Sequence, residues 1–228
     1  MNSKKKNIEA QIVEDFEKIR PAITRLLQTQ MKNDDLSLRY GRSKSNSKND
    51  IVINPSILVN TISKTNLDRD EVMIGTVVHE AIHATNNYTL DPESINKLFP
   101  EELDDVEDID DILEILTGPF GKYVFDILIH SIEEKIFVKQ YEGLNSILQD
   151  IYTESFSEIK KLGNFSQYLS LLFHSITSYI DPEFENYKKP VVKSLNESLH
   201  ILKTLNYEDV NVSELIEATV QMLSLIHI

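Results

Sequence analysis

Apolar residues recur at intervals of three and four along most of this 228-residue chain, the spacing of one helix face. From Asn7 to about Gln30 the series Ile8, Ile12, Phe16, Ile19, Ile23, Leu26 and Leu27 predicts a helix that Pro21 bends or interrupts. Only LSLRY (36–40) and DIVIN (50–54) alternate apolar with polar residues, and they flank the polar loop GRSKSNSKN, which predicts a hairpin or two sheet strands. Helices are expected over Ser56 to Lys64 and over Asp68 to about Thr85, the second with Asp68, Asp70 and Glu71 at its start, where carboxylates offset the helix dipole. Further helices are expected at 101–116, from Lys122 to Gln140, and at about 144–161, 165–179, 183–204 and 211–222. The fold class is mainly α with a small β-sheet, an α+β arrangement with a helical C-terminal half.

Composition narrows the function classes. The net charge of −14, from 37 acidic and 23 basic residues, argues against nucleic acid and against anionic membrane surfaces as partners, and leaves basic partners open. No apolar stretch follows MNSKKK and no window of about 18 apolar residues exists, so a secretory signal and a membrane span are not expected. Cysteine is absent, which fits a reducing, cytoplasmic setting and means that any metal must be held by His, Asp or Glu. The segment EELDDVEDIDDILEIL carries nine acids in fourteen positions while Leu103, Val106, Ile109, Ile112 and Leu113 keep a helical period, which predicts a solvated acidic face.

Inside the helix beginning near Asp68 stands GTVVHEAIHATNN (75–87). Positions four apart on an α-helix differ by about 40°, so His79 and His83 project from one face and can bring two imidazole nitrogens to one metal ion. Glu80 lies about 100° round from His79, where it can take a proton from a water activated at the metal rather than join the chelate. Val77, Val78, Ala81 and Ile82 are expected to pack this helix into the core. The plainer alternative is two capped histidines on a buried helix.

A catalytic zinc needs a third protein ligand and an open position for water. No histidine follows His83 in the short spacing of metzincins. The better candidates lie in IHSIEEKIF, where Glu133 and Glu134 fall 50 and 51 residues after His83 on a second helix. Adjacent glutamates usually face solvent, but amid VFDILIHSI at least one points inward and needs a partner. His130, three residues before Glu133, shares its face and could orient a ligand, contact substrate or itself serve as the ligand. His174 and His200, in amphipathic helices, read as ordinary surface or core histidines rather than oxyanion stabilisers.

A short strand IVIN, a helix with HEAIH, and some fifty residues later a helix reading HSIEEKIFVKQYEG together resemble the zincin-like metallopeptidase domains of phages and bacteria associated with von Willebrand factor A domains. The second motif of that family runs roughly Asn-x-x-Glu-Asp-x-Arg-Ile-Glu, on which Glu133 matches the third zinc ligand, Glu134 the following acid, and Glu142-Gly143 the turn. The chain departs from it at His130, where the family has Asn, and at Glu134, where it has Asp. The resemblance implies zinc held by His79, His83 and Glu133, a peptide or protein substrate, and partnership with a von Willebrand A domain or an AAA+ ATPase. It covers residues 50–143 and leaves the helices on either side unassigned; a single zincin-like domain over 1–222 is expected, with 50–143 as its motif core and 144–222 as a helical C-terminal part. No Asp-x-Ser-x-Ser metal site of a von Willebrand A domain occurs in the chain. The ending LSLIHI (223–228) matches the read-through of a sequencing adaptor, so a non-native tail is expected there and His227 carries no argument.

Two functions follow. The leading expectation is a zinc-dependent peptidase with Glu80 as general base and substrate backbone along Asp50 to Asn54. The alternative is a helical interaction module, catalytically lapsed, with a structural metal or none and a basic partner on the acidic helix.

Overall fold

The three- and four-residue spacing of apolar side chains becomes helix almost wherever it occurs. The computed structural model describes residues 3–30, 32–41, 49–64, 66–85, 109–139, 142–156, 158–180 and 183–226. Its elements are α1 (Ser3–Gln30), β1 (Ser37–Tyr40), β2 (Asp50–Ile53), α2 (Pro55–Lys64), α3 (Arg69–Thr85), α4 (Ile109–Thr117), α5 (Gly121–Lys139), α6 (Glu142–Phe156), α7 (Asn164–Thr177), α8 (Lys189–Leu202) and α9 (Val212–Leu225). Short 3-10 turns at Gly118–Phe120, Ile159–Lys161 and Phe184–Asn186 join some of them. The protein is thus mainly helical with a small sheet, and among the described residues no helix is long and apolar enough to cross a membrane. By backbone contacts the chain forms two compact units, Met1–Asn86 with Tyr141–Ser157, and Asn87–Gln140 with Glu158–Ile228.

In the first unit α3 is the hub, packed by α1, α2, α6 and β2. Ile12, Phe16, Ile23 and Leu27 form the buried stripe of α1, whereas Ile8 is exposed. Pro21 does not interrupt this helix; it sits on the exposed face, where the carbonyl that loses its partner can turn to water. The two strands pair parallel, Leu38 beside Ile51 and Tyr40 beside Ile53, so the hairpin alternative is corrected. Leu38, Ile51 and Ile53 are buried, and the alternation that buries them has the same period in parallel and antiparallel pairs, which is why it could not fix direction. At the outer end Arg39 Nε and Ser37 Oγ both donate to Asp50, at 2.6 and 2.9 Å.

In the second unit α5 is the hub, packed by α4, α7 and α9, with α8 on α7 and α9. Gly118, at φ +68, takes the left-handed conformation that ends α4 and lets α5 start afresh three residues on. The exposed Asp110, Asp111 and Glu114 with buried Ile112 and Leu113 make α4 the amphipathic acidic helix expected; residues 101–108 of that stretch lie outside the described residues. Tyr168 is fully buried, its phenol 2.7 Å from Ser198 Oγ, so α7 and α8 share a polar tie inside an apolar interface. Helix α8 starts at Lys189 rather than 183 because Pro190 has no N–H to donate and is accommodated in a first turn. Asn211 and Glu214 form a reciprocal capping box at the start of α9, which runs on through Leu223 to Leu225.

Candidate functional site

Helix α3 starts as its sequence dictates. Asp68 Oδ1 accepts the backbone N–H of Asp70 at 2.9 Å and of Glu71 at 3.3 Å, satisfying two of the first turn's donors. Val72, Met73, Val77, Val78, Ala81 and Ile82 are buried, as the flanking pattern predicts, while His79 and Glu80 are half-buried on the less covered side of the helix. His83 follows one turn after His79 in the same helix, and its side chain lies outside the described residues. The helix therefore places the two histidine positions about 40° apart in azimuth, with Glu80 about 100° from the first.

Helix α6 supplies a contact that the motif alone did not reveal. The Tyr152 hydroxyl lies 3.1 Å from His79 Nδ1, and the two rings meet edge to face at 74° with centroids 6.1 Å apart. The approach depends on Gly75, one turn before His79: a Cβ there would stand 2.7 Å from Ile151 Cδ1 and 2.8 Å from Ile147 Cγ2. Leu144, Ile147, Leu148, Ile151 and Tyr152 recur at three and four along α6, and a tyrosine at the edge of such an apolar stripe commonly presents its hydroxyl to a polar partner. That signal was in the sequence, though nothing in it pointed to His79 as the partner.

The remaining candidates belong to the second unit, on α5. His130 is half-buried, and its Nδ1 contacts the Asp126 carbonyl one turn back at 3.2 Å. Glu133 is half-buried and Glu134 fully buried, the two pointing about 100° apart as helix neighbours must. Glu134 shares the interior with α7 and the turn after it: Tyr179 and His174 both stand close enough to feel the charge of its carboxylate. Burial pushes the His174 imidazole down to about 4, against the opposing pull of Glu134. Burial and the same carboxylate push the Tyr179 phenol well above its ordinary range. His200 is exposed. Lys135 donates to the Ile176 carbonyl at 2.6 Å, and burial holds its amine below the usual lysine range.

Among the described residues no group of three or more His, Asp or Glu side chains is gathered where it could hold a metal ion; the His83 side chain is outside that description. In comparisons with known proteins, no family model, no curated protein and no solved structure matches the chain.

Proposed function

We propose that the protein is a zinc-dependent peptidase of zincin-like fold, acting on a protein or peptide substrate in the cytoplasm. One observation carries the reading: His79, Glu80 and His83 occupy successive functional positions on one unbroken, largely buried helix, and the first histidine is engaged at Nδ1 by a phenol from a second helix. That donor set fits zinc, because paired imidazole positions one turn apart suit a tetrahedral ion and because ligating histidines usually bond their other ring nitrogen to a nearby oxygen. Glu133 is the proposed third ligand, on its spacing from His83 and its match to the family motif. Glu134, fully buried with its carboxylate close to Tyr179 and His174, is the weaker choice.

A zinc ion at this site would supply Lewis acidity to the scissile carbonyl and to water. The chain's own residues do the rest. Glu80 takes the proton of the attacking water and delivers it to the leaving amine. Val77, Val78, Ala81 and Ile82 anchor the helix in the interior, so the reactive face is presented without play. Substrate backbone is set along Asp50 to Asn54 by strand addition, β2 being packed against α3.

Zinc content and cleavage of an unfolded protein test the reading together. The parent should carry about one zinc per chain, His79→Ala and Glu133→Ala should lose it, and Glu80→Gln should keep it while hydrolysis falls by about 10²–10⁴-fold. A Glu80→Gln variant that cleaves like the parent removes the general base from the scheme. A parent without zinc leaves the helical interaction module as the better account.

A further inference from the structure

We propose that Tyr152 is a positioning residue for the metal site: its phenol oxygen accepts the Nδ1 proton of His79 and so presents Nε2 of that ring, unprotonated, to zinc. The inference rests on the peptidase reading but adds a residue that neither the HExxH pattern nor the resemblance contains. Its basis is the 3.1 Å contact between Tyr152 Oη and His79 Nδ1, made across two helices of the same unit.

A neutral imidazole carries one proton on one of two nitrogens, and the nitrogen that coordinates a metal must be the bare one. Which nitrogen is bare is decided by what the other one bonds to. With Nδ1 turned to the phenol, coordination has to use Nε2, and the proton must then reside on Nδ1 with the phenol oxygen as its acceptor. The edge-to-face packing of the rings at 74° limits rotation of the imidazole about its own axis, so the same residue sets both tautomer and direction. Gly75 is what lets the device exist, because any Cβ there would push Ile147 and Ile151, and Tyr152 with them, away from α3. Without the acceptor the ring proton can settle on Nε2, from which it must be moved before a metal can bind.

Tyr152→Phe keeps the ring and removes only the oxygen. Zinc affinity of the 228-residue chain, measured by competition with a chelator, should weaken by about 10- to 100-fold in this variant. In the metal-free protein, long-range proton–nitrogen NMR, with the His79 signals assigned by their loss in His79→Gln, should show the Nδ1–H tautomer in the parent and a shift toward Nε2–H in Tyr152→Phe. A residue that merely fills space would leave the tautomer unchanged. Equal zinc affinity within about twofold in parent and variant, or a parent His79 protonated on Nε2, overturns the proposal. Should the variant lose its helical signal, the parent tautomer decides alone, Nδ1–H for and Nε2–H against. A parent that binds no zinc sinks the peptidase reading and this inference with it, whereas a parent that binds zinc regardless of the Tyr152 oxygen sinks only the inference.

Discussion

His174 is a histidine whose surroundings oppose charge. It lies in the last turn of α7, buried beside Phe173 at 5.4 Å between ring centroids, with the Glu134 carboxylate as its nearby acid. Its native pKa of about 4 lies below the 6.5 of an unfolded histidine, so the unfolded chain binds the extra proton more readily. The stability this contributes is fully present above pH 6.5 and drains away as pH falls from 6.5 toward 4. Urea midpoints across that interval should therefore fall more steeply for the parent than for His174→Gln. Parallel profiles would mean that the imidazole is charged, or equally hydrated, in both states. A helical period could say that position 174 sits in an amphipathic helix; whether it faced water or Glu134 depended on which helix covered it.

Between elements, the packing of α6 on α3 turns on one missing side chain. Gly75→Ala gains about 1 kcal/mol of helix propensity but overfills a contact, which costs about 1–3 kcal/mol. The net expectation is a loss of up to about 2 kcal/mol, read as a lower urea midpoint. Gly143, exposed near the start of α6 with nothing within 4 Å of a built Cβ, is the control, and Gly143→Ala should be neutral or stabilising. If both alanines behave alike, the close approach of the two helices is not what limits stability. At the other end of α3, Asp68→Ala removes the acceptor for two backbone donors and should cost about 1 kcal/mol. The cap was legible in the order Asp68, Asp70, Glu71; the contact at Gly75 was not, because it needs Ile147 and Ile151, more than seventy residues away.

Across the whole molecule the chain passes between its two units three times, after Asn86, Gln140 and Ser157. The first unit is completed only by α6, which returns to it after α4 and α5 have been laid down in the second. Residues 1–86 alone leave bare the face of α3 that Ile147, Leu148 and Ile151 cover, so this fragment should show no cooperative urea transition. The same fragment joined through a flexible linker to residues 141–157 should recover one, followed by far-UV circular dichroism. A sharp transition in the shorter fragment would show that α6 is dispensable to the fold. The resemblance that spans residues 50–143 takes in all of α3 and α5 but stops as α6 begins, so it could not anticipate this dependence.

Local order in this protein was set down in its residue spacing. Helices from α1 to α9, the acidic ends of α3 and α4, the two short strands and the alignment of His79 with His83 all follow from intervals of two, three and four, because those intervals depend on backbone geometry within a few residues. The parallel pairing of the strands, the inward turn of Glu134, the burial of His174 and the meeting of Tyr152 with His79 came from the packed chain. Each is a choice of partner among segments distant in sequence, and such choices are made by the shape and closeness of packed surfaces, which a periodic pattern does not encode.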